Sequence, residues 1–157
     1  MGDRTDVTLT VLETDREATI NIIKSTKQWR SSNYIGNAGN ISFCYFDFEE
    51  VNYGDLPFLP LLIQAGIPFD SSWGHGSEYD PGTTSCRFLD NGHAQVKDNI
   101  PSDPSIAITA LLARIDKPAE LVQYIRDKED EFTVLPWDNQ EENKKTYRTL
   151  RLLGGVS

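Results

Sequence analysis

One loop of the chain, residues 73–80, gathers the side-chain types that catalysis most often uses. Its sequence WGHGSEYD contains a histidine, two carboxylates and two aromatic rings. His75 would serve as a general base oriented by Glu78 or Asp80, and the same three side chains would offer nitrogen and oxygen ligands to a metal ion. Neither spacing matches a motif with an established mechanism. The loop therefore supports one hypothesis for the function, a small enzyme or a ligand- or metal-binding protein with its site in residues 73–80.

A second feature is a long stretch without positive charge. No lysine or arginine occurs between Arg30 and Arg87, although that stretch holds seven acids and ten of the sixteen aromatic residues. A surface of this composition attracts basic partners, and its tyrosine and tryptophan add contact area of the kind found at interface hot spots. The alternative is a set of core strands with acids on their loops for solubility. We predict a protein-binding surface made of Asp47, Glu49, Glu50, Tyr53, Asp55, Asp70, Trp73, Glu78, Tyr79 and Asp80.

The two features lead to two functional hypotheses. The first is a non-enzymatic binding or inhibitor protein whose acidic, aromatic surface engages a basic site on another protein. In charge and size alone, the chain resembles small acidic phage and plasmid proteins that block nucleic-acid-handling defence enzymes, some by mimicking the charge of DNA. The second is a site for catalysis or ligand binding in residues 73–80. We favour the first, because the chain contains no Gly-x-Ser-x-Gly, Walker A or Gly-x-Gly-x-x-Gly helix-opening motif.

Composition narrows the classes of partner. The net charge of −9 disfavours direct binding to nucleic acid phosphates or to anionic lipid, since both need a cationic surface. The longest apolar run, residues 56–67, contains two prolines and is too short to span a bilayer. The first residues lack the apolar core of a signal peptide. We therefore expect a cytoplasmic protein without membrane contact, cofactor or metal, and the oligomeric state stays open.

The two cysteines lie in apolar, strand-like sequence. Cys44 follows Phe43, and Cys86 precedes Arg87 and Phe88. This setting predicts two buried thiols that act as small apolar side chains. A disulfide requires that their strands be neighbours, which the sequence leaves open.

Periodicity predicts strands over most of the first hundred residues. Residues 5–12 alternate in the manner of a half-buried strand, and residues 41–48 are apolar on both faces, which is typical of a central strand. The pair Asn91-Gly92 predicts a type I′ hairpin between strands at 83–89 and 93–98. The polar, glycine-containing residues 31–40 are predicted to form a loop.

Helices are predicted between and after these strands. A capping box from Thr14 to Glu17 predicts a helix that ends near Gln28 and buries Trp29. A short helix is expected over residues 56–65, and three more are expected after residue 101. For the helix that begins near residue 118, apolar spacing places Leu121, Val122 and Ile125 on an inner face.

The order of elements is β-α-β-α-β-β-β followed by helices. Strands joined by hairpins predict an α+β fold with a mainly antiparallel sheet, for which a ferredoxin-like β-α-β core is one version. The length of 157 residues suits one domain. We predict a single domain over residues 1–157, with a sheet-forming part (1–100) and a helical part (101–157).

Overall fold

The computed structural model describes residues 3–26 and 31–154. A six-stranded sheet in the order β2-β3-β1-β4-β5-β6 forms its centre. The strands are β1 (Arg4–Leu12), β2 (Ser32–Ala38), β3 (Ile41–Asn52), β4 (Phe69–Trp73), β5 (Gly82–Phe88) and β6 (Ala94–Pro101). A 3-10 turn (Glu13–Asp15) precedes the first of five helices, which are α1 (Arg16–Ser25), α2 (Leu59–Gln64), α3 (Ile108–Leu112), α4 (Pro118–Phe132) and α5 (Gln140–Leu152).

The predicted α+β class and helical C-terminal third are confirmed. Every neighbouring pair of described strands is antiparallel. The first four strands and two helices also follow the ferredoxin-like version, with the element order β1-α1-β2-β3-α2-β4 and the strand order β2-β3-β1-β4. Helix α1 connects β1 to β2, which run parallel to each other with β3 antiparallel between them, and β5 and β6 extend the sheet beyond β4.

One face of the sheet carries the hydrophobic core beneath α1, α2 and α5. Alternate residues of each central strand point to this face and are buried, as Leu9 and Phe46 show in their pairing between β1 and β3. Each helix adds buried apolar side chains to the same cluster, including Ile23 from α1 and Leu62 from α2. Tyr147 of α5 packs on Phe88 of β5 with ring centroids 4.5 Å apart.

Both cysteines lie in this core, on strands that are not neighbours. Register places Cys44, Val11, Phe69 and Cys86 in one row across β3, β1, β4 and β5. Three strand spacings of ~4.8 Å separate the two cysteines by about 14 Å, which is far beyond disulfide reach. Both thiols are unpaired, and burial raises the pKa of Cys86 to about 12.

The opposite face of the sheet is polar and partly covered by the segment between α4 and α5. The guanidinium of Arg87 lies 3.8 Å from the centre of the Trp137 ring, and its Nε donates to the carbonyl of Leu135 at 3.0 Å. Trp137 also packs edge-on against Phe43. The C-terminal third therefore packs on both faces of the sheet, with α5 on the core face and residues 133–139 on the polar face.

Two local predictions at the N-terminal end of the fold are wrong. Residues 31–40, which the sequence predicts to be a polar loop, contain β2, an edge strand that pairs with β3 along its length. Thr14 makes no capping bond to α1; its hydroxyl instead donates to Glu141 and accepts from Lys144 of α5. Helix α1 is observed to Ser25, and the predicted extension to Gln28 and Trp29 lies outside the described residues.

The Asn91-Gly92 hairpin is present, but its turn type differs from the prediction. Gly92 alone has a positive φ (83°), and its N–H donates to the carbonyl of Leu89 at 3.1 Å. Leu89 N–H in turn donates to His93 O at 2.8 Å. This is a three-residue loop with a left-handed glycine rather than a type I′ pair.

The helices before α5 also depart from prediction. The helix expected after residue 101 is reduced to the short α3. In α4, which begins with Pro118 as expected, Val122 and Ile125 are 47% and 41% exposed. The predicted inner face is therefore wrong, because α4 lies beside the edge strand β6 rather than over the core.

Candidate functional site

The ten residues predicted to form one surface are divided among separate parts of the molecule. Asp47 and Asp70 lie on the polar face of the sheet, while Glu49 and Glu50 lie near the end of β3 and are exposed. The structure brings five of the ten together at one end of the sheet: Tyr53, Asp55, Trp73, Tyr79 and Asp80. Glu78 is exposed in the loop beside them.

Several of the predicted carboxylates already have partners. Asp70 pairs with Arg87 at 2.9 Å and accepts from Ser85 at 2.6 Å. Asp47 accepts from Thr8 at 2.8 Å, and Glu50 pairs with Arg4 at 3.1 Å. These acids are therefore less available to a partner than the charge pattern of the sequence suggested.

The catalytic arrangement proposed for residues 73–80 does not form. His75 is exposed, and among the described residues its side chain makes no hydrogen bond or ion pair. Neither Glu78 nor Asp80 orients it. In the described part of the chain, no three His, Cys, Asp or Glu side chains converge as a metal site requires.

The five clustered residues line a groove at the end of the sheet. The groove consists of three adjoining cavities of about 380, 260 and 430 Å3, which we call the outer, middle and inner cavities. Tyr53 and Trp73 form walls shared by the outer and middle cavities. The inner cavity continues between α2 and β6, and it shares with the middle cavity Asp55, Leu59, Thr84 and Asp98.

Three hydrogen bonds hold the loop that forms the outer wall. Trp73 Nε1 donates to the carbonyl of Asp80 at 3.1 Å, and Gly76 N–H donates to the carbonyl of Tyr79 at 3.1 Å. Asp3 ties this loop to β1, since its carboxylate accepts from Glu78 N–H at 2.9 Å. That bond is the main reason why the pKa of Asp3 is lowered. The aromatic wall is thus positioned before any ligand arrives.

Close packing on Gly82 fixes the Trp73 ring. A Cβ atom at Gly82 would lie 2.6 Å from Cζ2 of Trp73 and 3.0 Å from the carbonyl oxygen of Ile100. Any larger residue would therefore displace the indole from its place in the groove. Tyr53 lines the same two cavities as Trp73 and is 54% exposed; its ring centroid lies 6.3 Å from that of Tyr79.

The charged residues that line the groove are all acidic among those that the structure describes. Asp80 lines the outer cavity, and Asp55 and Asp98 line the other two. Among the described residues, no lysine, arginine or histidine lines any of the three cavities. Carboxylates without counter-charge beside aromatic faces are the features that attract a positively charged group.

One residue that lines the middle cavity carries a buried hydroxyl that has no partner in the described part of the chain. Ser71 is 1% exposed and lines this cavity, and no described group lies within hydrogen-bonding distance of its Oγ. Tyr79 lines the outer cavity, and its phenol oxygen is also buried without a hydrogen-bond partner among the described residues. Buried polar atoms are nearly always hydrogen-bonded, so a water molecule or a ligand that reaches either atom would complete its hydrogen bonding.

Sequence reasoning did not find the β6 side of the groove. Asp98 and Asn99 lie where the register between β5 and β6 shifts, and Asn99 has a positive φ of 53°. This irregularity puts both residues beside Thr84, whose Oγ1 accepts from Asn99 N–H at 3.4 Å. An Asp-Asn pair late in a strand pattern was the available signal, because asparagine tolerates the left-handed region.

Comparison with family models, curated proteins and solved structures gives no match for this chain. No helix in the described ranges combines the length and the apolar character that a membrane span requires.

Proposed function

We propose that this protein is a non-enzymatic binding protein that holds a basic segment of a partner protein in its acidic, aromatic groove. One observation carries the proposal: three carboxylates and four aromatic side chains line the groove, and no described basic side chain does. Lysine and arginine side chains gain from both kinds of wall, through Coulomb attraction and through contact with aromatic faces.

The shape of the groove supports an extended segment rather than a single small molecule. Its three cavities follow one another from the Trp73–Tyr79 side to the apolar space beneath Leu59 and Ile63 of α2. A chain lying along it would meet acidic, aromatic and apolar surroundings in turn. The fixed positions of Trp73 and of the loop reduce the ordering that binding would require.

The proposal extends to inhibition in one direct way. A basic segment held in the groove is withheld from nucleic acid phosphates, so a nucleic-acid-handling partner would lose binding or activity. Charge mimicry of DNA over an extended surface has less support, because the predicted acids are divided among separate parts of the molecule. The unpaired cysteines agree with the cytoplasmic location that we include in the proposal.

The alternative of an enzyme centred on His75 has no comparable support. His75 is exposed and unpartnered among the described residues, and it lines none of the three cavities. A general base needs an orienting partner and a place for the substrate within hydrogen-bonding reach.

The proposal is tested by the binding of a short, fluorescently labelled peptide of alternating lysine and glycine, measured by anisotropy. We expect saturable binding that weakens steeply with added salt, and no binding of the glutamate counterpart. The triple variant Asp55→Asn, Asp80→Asn, Asp98→Asn should weaken binding by at least about tenfold, as expected for loss of charged partners.

A matched control separates the groove from net charge. The triple variant Glu13→Gln, Glu17→Gln, Asp90→Asn removes the same charge at the opposite end of the sheet, where all three side chains are exposed. We expect it to bind the peptide nearly as well as the parent protein. Equal weakening by both triple variants would overturn the proposal, because binding would then follow total charge alone.

A further inference from the structure

We propose that the middle cavity is an anchor pocket for one organic cation bearing N–H groups, an inference that rests on the proposed function and specifies its ligand. The chemistry is shared by the ammonium of lysine, the guanidinium of arginine and the amines of free polyamines. Ser71 provides the observation, since this residue lines the cavity and its buried hydroxyl has no partner among the described residues.

The residues that line the pocket offer hydrogen-bond acceptors of two kinds, a hydroxyl and carboxylates. Ser71 is one of the lining residues, and a cationic N–H that reaches its Oγ would donate to it. Asp55 and Asp98 line the pocket from two different elements, the β3–α2 connection and β6. Both carboxylates would draw the cation in, and the hydroxyl would select one that carries N–H donors.

The side walls suit the same ligand. Tyr53 and Trp73 flank the cavity and present aromatic faces, while Leu59 supplies apolar contact for an alkyl stem. A volume of about 260 Å3 accommodates the end of one side chain rather than a whole peptide. In the free protein, water that enters the cavity would supply the partner of Ser71, and the cation would replace it.

The test compares three probes with the same butyl chain by NMR titration of the labelled protein. Butylammonium carries N–H donors, butyltrimethylammonium has the same charge without them, and butanol has neither. We expect butylammonium to shift the amide signals of Ser71, Thr84 and Asp98, and to bind several-fold more tightly than butyltrimethylammonium, because hydrogen bonds to charged groups are strong. Butanol should produce no comparable shifts.

Two serine variants identify the hydroxyl that is responsible. Ser71→Ala should weaken butylammonium binding by about tenfold and leave butyltrimethylammonium unchanged, as expected for the loss of one charged hydrogen bond. Ser85→Ala is the control, since Ser85 is also buried but bonds to Asp70 on the other face of the sheet. Unchanged butylammonium affinity in Ser71→Ala, or equal affinity for the two cations, would overturn the inference.

Two further comparisons identify the source of the cation and distinguish failure of the anchor pocket from failure of the proposed function. Tighter binding of spermidine than of the lysine-glycine peptide would assign the pocket to free polyamines; the reverse would assign it to a side chain of a partner. If the peptide binds the groove while no amine binds and Ser71→Ala has no effect, the anchor pocket is wrong and the proposed function stands. Failure of both peptide and amines to bind would overturn both.

Discussion

Carboxylates occupy two contrasting regions of this molecule: the groove and an ion cluster under α5, formed by Asp15, Glu141, Lys144 and Arg148. In the ion cluster, Asp15 is almost fully buried and pairs with Lys144 at 3.0 Å and with Arg148 at 2.8 Å. In the groove, Asp55, Asp80 and Asp98 have no basic neighbour among the lining residues that the structure describes.

The contrast shows how one acidic chain divides its charges between stability and binding. The ion cluster joins α5 to the turn before α1 and, through Arg148, to the carbonyls of Ala65 and Gly66 after α2. Its charges are satisfied inside the protein and therefore unavailable to a partner. The charges of the groove are unsatisfied, which makes them useful for recognition and of little value for stability.

Removing the buried acid should have the largest effect. Asp15→Ala leaves Lys144, which is 2% exposed, without its closest buried partner, and we expect a loss of about 3–5 kcal/mol in the free energy of unfolding. Asp55→Ala in the groove should change it by less than about 0.5 kcal/mol. Urea unfolding of both variants measures the difference. Similar losses in the two variants would contradict the contrast.

The two buried serines provide a smaller version of the same comparison. Ser85→Ala breaks a bond to the charged Asp70 and should cost about 1.5–3 kcal/mol. Ser71→Ala removes a hydroxyl with no partner among the described residues, so we expect the variant to be as stable as the parent or slightly more stable. Thermal unfolding of both variants decides the point. A clear loss of stability in Ser71→Ala would show that its hydroxyl is satisfied within the protein.

The two cysteine thiols in the core beside the groove should not react with thiol reagents in the folded protein. Burial raises the pKa of both thiols, that of Cys86 to about 12. We expect neither cysteine to react with a thiol-specific disulfide reagent at pH 8 until the protein is unfolded, because the thiolate is the reactive form. Release of the coloured product, followed with and without denaturant, gives the measurement. Rapid reaction of the folded protein would show that the groove opens into the core.

The smallest expected effect is the response of the ion cluster to acid. Burial would raise the pKa of Glu141, but hydrogen bonds from Lys144 and Thr14 outweigh it and lower the pKa below 4.5. Its stabilising contribution is therefore complete above that value and is lost as the pH falls through the lowered pKa.

The variant Glu141→Gln should consequently lose less stability than the parent between about pH 5 and pH 3. The difference should be about 0.2–1 kcal/mol, because the carboxylate is partly exposed. Glu142→Gln is the control, since the Glu142 carboxylate pairs with Lys145 where both side chains are exposed. Identical acid profiles for the parent and Glu141→Gln would show that this ion pair contributes nothing.

Local signals predicted the fold class but not the edges of the sheet. Alternation and apolar runs identified β1 and β3 because core side chains recur with the period of a strand. The same reasoning missed β2, whose exposed polar sequence carries no such period, since an edge strand is held mainly by its backbone bonds to β3. The turn at Gly92 was located correctly, but its type depends on the register between β5 and β6.

The candidate site was predicted in part for the same reason. Tyr53, Trp73 and Tyr79 were selected as aromatic residues among acids, and the fold brings them together. Ser71, Asp98 and Asn99 were not selected, because their place in the groove arises from strand pairing and from the bulge in β6. Pairing between β4 and β5 also neutralised Asp70, since Arg87 lies on β5.

The most direct test of the central claim is to locate a bound lysine by intermolecular NOEs between the lysine-glycine peptide and isotope-labelled protein. The groove predicts NOEs from the lysine Hε protons to the rings of Trp73 and Tyr53, and their loss in the Asp55, Asp80, Asp98 triple variant. NOEs to Tyr34 and Tyr45, which stack on the polar face of the sheet, with none to the groove, would contradict the account.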